Sequence, residues 1–592
     1  MSDKLIEKLT GLLRHKQWYE LPRNLALGRL GEIRRELREK NLHDTEEPPL
    51  QKRQGAAPTD PAVRATRSID GSNNDLQFPA MGSVGRRFGR NFPLDQVKPD
   101  TANLLAPSPR VVSRELMTRD EFKPATILNL LAGAWIQFMV HDWFVHKRSK
   151  TQTIDIPLAQ GDDWSDGTMT VPRTEPDPAP AGSTRPPAYA NLNSHWWDAS
   201  MLYGCDADIA KKVRANVGGK LRIEPTGLLP TDPATGISFS GFTDNWWIGL
   251  AMLHTIFTLE HNHVADLLAH HNPTWNDQQL FEKAKLINSA LLAKIHTIEW
   301  TPAILPNPTI KMAMNINWSG LAGEELQDAL MFLDDSEALG GIVGSKADHH
   351  TAPYSLTEEF VSVYRMHPLM PDEIAFRSLG TGRLVETLKL PAVTGRNTPA
   401  VAERHSMPDL FYSFGVSHPG AVTLHNYPRF LQNLTRDDGE HLDLAAVDIL
   451  RDRERGVPRY NQFRRLLHKN PVKSFDELSD NPAWRKQLKD VYGDVDKVDL
   501  MAGLYAEPLP PGFGFSDTAF RVFILMASRR LKSDRFFTDD WKPEIYTEFG
   551  LDYIRKNSML SILRRHYPQL APALSGVTNA FAPWKTVTAP PG

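Results

Sequence analysis

The chain has a single cysteine, Cys205, among 592 residues, so no intramolecular disulfide can form and a reducing compartment suits it. No run approaches 18 consecutive apolar residues, which argues against a membrane-spanning helix. The N-terminus MSDKLIEKLTGLLRHKQWYELP lacks the apolar stretch of a signal peptide. The expectation is a cytoplasmic protein, soluble or peripherally attached to a membrane. An excess of one charge is also missing. Sixty-eight basic residues stand against 71 acidic ones, net -3, which gives no electrostatic footprint for nucleic acid. Gly-rich phosphate loops, internal repeats and sustained strand-like alternation are absent or scarce.

What is present is helical periodicity. Apolar residues recur at helical spacing over 124–145, 246–270, 279–300, 356–367 and 518–535, and this predicts a mainly α fold. Two polar, Pro-rich stretches, 46–77 and 160–193, read as irregular connections. Near the N-terminus Leu5, Ile6, Leu9, Leu12 and Leu13 form a stripe with lysines and arginines beside it. That is the pattern of a helix packing on its own protein or touching a membrane surface.

Twenty histidines include several in apolar surroundings, where a polar ring must find a partner. Gln137 and His141 are four apart and share a helical face amid Trp135, Phe138 and Trp143. A neutral imidazole backed by an amide suits acid/base work on a small oxygen ligand, and a hydrogen-bonded core histidine explains it equally. In EEFVSVYRMHPLMPD the spacing places Tyr364 and His367 on one helical face. Glu260, His261 and His263 lack zinc-site spacing, and His349 and His350 read as solvated loop residues.

Six motifs occur in order: QFMVHDW, SHWWDASMLYG, HTIFTLEHNHVA, EFVSVYRMHPLMPD, HNYPRF and RDRERGVPRYNQFRR. This order resembles the animal-type haem peroxidase and cyclooxygenase superfamily. Within it WIQFMVHDW, LLAKIHTIEWTPAIL, PYSLTEEFVSVYRMH and MASRRLKSDRFF resemble the fatty acid α-dioxygenases, over about 67–580. The resemblance implies a large single-domain helical fold at 67–592, preceded by N-terminal helices and an extended arm at 1–66. It implies haem b and calcium as cofactors, with a long-chain fatty acid and O2 as substrates. His141 matches the distal histidine and Gln137 its companion. His367 matches the iron ligand, Asn426 the acceptor of that ligand's other ring proton, and Tyr364 the radical tyrosine. His296, Thr301 and Arg530 match the groups that hold the substrate carboxylate, with Arg530 offering two parallel charged hydrogen bonds. Asp142, Ser194, the carbonyl of Trp196, Asp198 and Ser200 match the calcium shell, an all-oxygen set of the kind a hard cation selects.

One departure stands out. Where the family has an arginine over the haem edge, this chain reads GFTDN and places Asp244. Loss of that cation puts peroxide activation or haem affinity in question. The rival expectation is a haem peroxidase that uses hydrogen peroxide and small reductants. Chain-length preference and oligomeric state are not legible.

Overall fold

The computed structural model describes residues 16–320, 340–436 and 439–587; the amphipathic stripe at 5–13 lies outside them. The elements that matter for the site are α1 (Arg23–Lys40), α2 (Leu130–Val140), α3 (Ile248–His271), α4 (Asp277–Ile295), α5 (Pro308–Ser319), α6 (Glu358–Val363), α7 (Leu444–Glu454) and α8 (Asp517–Lys532). Among the described residues the β-strands form three short antiparallel pairs, such as β1 (Arg148–Ile156) with β2 (Met169–Thr174), and the remaining β structure is isolated bridges. The fold is mainly α, as the periodicity predicts. No described helix is long and apolar enough to cross a membrane.

α2 and α3 form the centre of the core because their apolar residues leave no polar stripe. Trp135, Phe138 and Phe257 are fully buried and pack ring on ring. α2 starts where Asn129 caps it, its Oδ1 accepting the Ala132 N–H at 3.2 Å, so the helix is shorter than the 124–145 window. α4 opens on a reciprocal box between Asn276 and Gln279, and Ser516 caps α8 through the Ala519 N–H at 3.1 Å. Such caps satisfy donors the first turn leaves unpaired.

The N-terminal arm belongs to the same hydrophobic cluster as the rest of the chain: Leu30, Ile33 and Leu37 of α1 are buried in it. Trp18 pins the arm to the start of α8, its Nε1 donating to Asp517 at 2.8 Å. The stretch 46–77 is irregular apart from one helical turn at Pro61–Arg64. It is nonetheless anchored, because Arg67 pairs with Asp198 and Asp534 at 3.0 and 2.9 Å.

Two helical expectations need correction. α6 ends at Val363, leaving Tyr364 as its cap at φ -89°, ψ 4°, and His367 opens a separate 3-10 turn. Tyr364 and His367 therefore do not share a helical face. Pro368 follows His367, and its ring disfavours the α conformation for the residue before it. The second correction lies in 279–300, where α4 changes pitch at His296 and continues as a π-turn to Trp300.

Candidate active site

The π-turn explains a spacing that an α-helix does not. Thr301 donates its backbone N–H, and its hydroxyl at 2.9 Å, to the carbonyl of His296. In a π-turn residues five apart stack on one face, so His296 and Thr301 line one cavity. Its other walls include Tyr364, Phe360, Trp143 and, from α8, Phe523 and Arg530. The Thr301 hydroxyl proton is committed to the backbone, leaving its oxygen as an acceptor rather than a third donor.

Three polar atoms in this cavity are buried without any hydrogen-bond partner: Tyr364 Oη, His296 Nε2 and Arg530 Nη1. Orphaned buried donors cost about 1–3 kcal/mol each, so three of them around one space mark a place built for a ligand that accepts. Each is held by its neighbours. The Tyr364 ring is packed between Phe360 and Phe523 with Trp143 edge-on at 5.0 Å. Burial pushes its pKa well above the usual phenol range, only partly opposed by Arg530, so the phenol keeps its proton. The Arg530 guanidinium stacks on Trp197 and Trp143 at 4.2 and 4.7 Å. Its Nε and Nη2 donate to the carbonyls of His195 and Trp196 at 3.2 and 2.7 Å. With those donors spent on backbone, Nη1 is the guanidinium nitrogen left without a partner, so the parallel fork expected of Arg530 gives way to Arg530 Nη1 together with His296 Nε2.

Trp135 fixes what His296 can do, and sequence reading had assigned it only to apolar surface. Its Nε1 donates to His296 Nδ1 at 3.3 Å, which makes Nδ1 the acceptor and places the ring hydrogen on Nε2, facing the cavity. Trp300 stacks on the same ring at 4.8 Å. Burial, with Arg530 adding to it, pushes the imidazole pKa down to about 3, so His296 is a neutral N–H donor at physiological pH. Trp135→Phe should keep the packing and free the tautomer, and is expected to raise the KM for a carboxylate substrate roughly five- to tenfold, the equivalent of one hydrogen bond. An unchanged KM would show that the tautomer is set by something else.

His141 follows directly on α2, and its N–H still bonds to the Gln137 carbonyl at 3.1 Å. The pair shares a face as expected. Gln137 is held by Trp247 Nε1 at 2.7 Å and by the Asn245 carbonyl at 3.3 Å. Burial pushes the His141 pKa down to about 4, against a smaller opposing effect of Asp244, so the ring is a neutral base at pH 7. Asp244, the group that opposes this shift, is exposed.

On the opposite side His367 is a half-exposed ring, 32% accessible, between buried Met366 and Leu369. Leu369 lies against Gly133 of α2, where an added Cβ would come within 3.5 Å of its carbonyl oxygen. His141 is eight residues further along, about 12 Å of helix. A histidine whose ring is only partly covered, beside a contact with the helix that leads to His141, is a residue that could hold haem iron.

Asn426 does not accept the second ring proton of His367. Its Oδ1 takes the Arg119 Nε and Lys123 N–H at 3.0 and 3.1 Å, and its Nδ2 donates to the Lys123 and Ala421 carbonyls at 2.9 and 2.7 Å. It is a fully engaged loop brace. His367 Nδ1 lies instead 2.9 Å from Asp448 Oδ2 on α7, off the line of a regular hydrogen bond. The same oxygen accepts the Tyr427 hydroxyl at 3.1 Å. Burial works against charge on Asp448, yet His367 and Arg365 hold its pKa below the usual carboxylate range. An acidic residue inside the apolar run LAAVDIL was the available signal.

The five residues expected to bind calcium come together. Asp142 Oδ1 accepts the N–H and hydroxyl of Ser200, and Asp198 accepts the Ser194 hydroxyl. Ala199, in the left-handed region at φ 53°, turns the loop between them. The Trp196 carbonyl is the one that holds Arg530. Asp142 Oδ2 is buried with no hydrogen-bond partner, and burial, partly offset by Arg530, pushes that carboxyl up to about 6. An oxygen-rich shell with an under-compensated carboxylate fits a hard cation. Arg67 shares the charge of Asp198, and among the described residues no group of three or more His, Cys, Asp or Glu is placed to hold a metal ion. Glu260 is engaged by Arg565, His566 and Tyr553, and His349 bonds Asp75 at 2.8 Å.

Residues 66–577 match the animal haem peroxidase family model. The chain is 38% identical to an α-dioxygenase of Oryza sativa, over 89% of this chain and 87% of that protein. It is 37% identical to α-dioxygenase 1 of Arabidopsis thaliana, over 96% and 90%. A crystal structure of the rice fatty acid α-dioxygenase, a tyrosine-to-phenylalanine variant with palmitic acid, superposes with a TM-score of 0.91 at 35% identity, covering 99% of this chain and 98% of that one. Peroxidase A of Dictyostelium discoideum, at 20% identity and TM-score 0.68, shares the fold alone. The chain belongs to the animal haem peroxidase family, among its α-dioxygenases.

Proposed function

We propose that the protein is a haem-dependent fatty acid α-dioxygenase. The observation that carries this reading is the convergence of Tyr364 Oη, His296 Nε2 and Arg530 Nη1, all unpartnered, on one cavity. A cation and a neutral N–H donor suit a carboxylate, and the phenol beside them suits the carbon next to it. The rice relative crystallised with palmitic acid supports a long-chain acid as the substrate.

Haem, when held by His367 with Asp448 behind it, supplies the one-electron oxidation that makes the Tyr364 phenol a radical. The carboxylate is then clamped by Arg530 and His296, so that Cα and not a later methylene faces Tyr364. The phenoxyl oxygen takes one hydrogen atom from Cα and becomes a phenol again. Dioxygen adds to the carbon radical, and the peroxyl radical takes a hydrogen atom back from Tyr364. This gives a 2-hydroperoxy acid and restores the radical. Loss of carbon dioxide and water yields an aldehyde one carbon shorter. Burial keeps His141 neutral, so a ring nitrogen would be open to a hydrogen bond from a small oxygen ligand.

Oxygen uptake with palmitate tests this reading. Haem-loaded protein should consume O2 with the fatty acid, after a trace of peroxide if priming is needed. Uptake only of peroxide, with phenols oxidised and palmitate untouched, would make it a peroxidase.

Asp448 and Asn426 separate at the proximal side. Asp448→Asn should weaken electron donation from His367 and move the haem midpoint potential to more positive values, whereas Asn426→Ala should leave the potential in place. The reverse pattern would restore Asn426 as the partner.

Calcium at Asp142, Ser194, Trp196, Asp198 and Ser200 would brace the loop whose carbonyls aim Arg530. Without the ion, Asp142 titrates at about 6 in the folded protein against 3.8 unperturbed. The folded state then holds the extra proton, so stability falls as pH rises through this window, by on the order of 3 kcal/mol in all. A bound cation offsets that loss. Chelation is therefore expected to lower Tm clearly at about pH 7.5 and little at about pH 5. A Tm that ignores the chelator at both would remove the ion.

A further inference from the structure

α8 shows two faces to the cavity. Phe523 and Arg530, seven apart, share the face turned to Tyr364, as the Phe523–Tyr364 ring contact shows. Ile524, Ser528 and Leu531 share the adjacent face, and they line the same cavity together with Met314 and Asn317 of α5. The clamp end is deeply buried: Arg530, His296 and Tyr364 are 1%, 2% and 5% exposed. A fatty acid held there by its carboxylate must run its tail toward Met314, Asn317 and Ser528, so it must also pass that end with its carboxylate leading.

α1 packs against both α5 and α8 and so bridges the two walls at this end. It does so through two arginines that bond the polar residues of the tail-end lining. Arg34 donates to the Asn317 side-chain carbonyl, and Arg38 donates to the Ser528 hydroxyl at 3.3 Å. The cavity volume is about 20 Å³, room for a water or two, whereas ligand pockets are commonly on the order of 300 Å³ or more. The walls have to separate before an alkyl chain fits, and α1 is the element tied to both.

We propose that α1 is the cover of the fatty-acid channel, latched by Arg34 on Asn317 and Arg38 on Ser528, and that these two contacts govern passage and accepted chain length. This rests on the fatty-acid reading of the site. Part-buried hydrogen bonds from a cation are strong enough to hold the cover and weak enough to release it on the timescale of turnover.

The test uses the full-length, haem-loaded Tyr364→Phe protein, which binds substrate without consuming it, and the fluorescent fatty acid cis-parinaric acid in a stopped-flow instrument. Asn317→Ala with Ser528→Ala removes both acceptors and keeps both cations. Association and dissociation rates should each rise about tenfold. Unchanged or slower rates, with intact haem absorbance and Tm, would overturn the cover. If that pair does not fold, Arg34→Lys with Arg38→Lys keeps the charge and shortens the reach; a smaller rise in both rates is expected, and identical rates again overturn it. A parent protein that binds no parinaric acid removes the fatty-acid reading itself, an outcome distinct from a parent that binds while the variants match it.

Discussion

Tyr364→Phe is expected to abolish oxygenation while leaving the haem spectrum, Tm and fatty-acid binding intact. The change deletes one oxygen atom from a ring that is otherwise held by Phe360, Phe523 and Trp143. That oxygen has no hydrogen-bond partner, so nothing in the fold depends on it. Removing it even relieves an unsatisfied buried hydroxyl. Activity should fall by at least about 10³-fold, some 4 kcal/mol of lost transition-state stabilisation, because among the described residues no other phenol lines the cavity. Residual oxygenation above a few per cent would mean that another group abstracts the hydrogen.

Arg530→Ala is expected to produce the second largest effect, of a different kind. Among the described residues the guanidinium is the only cation lining the cavity, and losing it would leave a buried carboxylate without its counter-charge, at about 2–5 kcal/mol. In kcat/KM that is roughly 30- to 4,000-fold, most of it in KM. The neutral His296 donor remains, so weak binding persists. Loss of one anchor should also blur the position of attack and yield oxygenation beyond Cα. Arg530→Lys should recover little, because a lysine cannot keep the Trp197 and Trp143 stacking or the two backbone bonds while also reaching the substrate. A normal KM in Arg530→Ala would show that the carboxylate is held elsewhere.

The helical framework was legible because α3, α4 and α8 carry unbroken apolar periodicity. Their limits were less so. α2 is shorter than its apolar window because Asn129 offers a cap, and α6 stops short of Tyr364 because Pro368 lies ahead. Within the cavity, His296 and Thr301 looked unrelated at 3.6 residues per turn, and only a π-turn makes a spacing of five meaningful. Motif matching placed Asn426 behind His367, since an asparagine in a short conserved-looking phrase is an obvious acceptor. The ring nitrogen meets Asp448, which a different helix delivers from 81 residues away by sequence number. Trp135 was hidden for a related reason. An indole in an apolar helix reads as packing, and its single N–H acquires meaning only once its partner, the His296 ring, is known.

Asp244 is exposed and acts electrostatically on the buried His141 imidazole, whose pKa burial holds low. On the proposed mechanism peroxide would be needed only to prime the Tyr364 radical, whereas a peroxidase would consume peroxide at every turnover.

The most direct measurement is the fate of palmitate under ¹⁸O₂ with haem-loaded protein, read by mass spectrometry of the products. The expected result is ¹⁸O on the second carbon, as 2-hydroperoxypalmitate, together with the aldehyde one carbon shorter. Label distributed along the chain, or unlabelled palmitate recovered while peroxide and a phenol are consumed, would contradict a carboxylate clamped beside Tyr364.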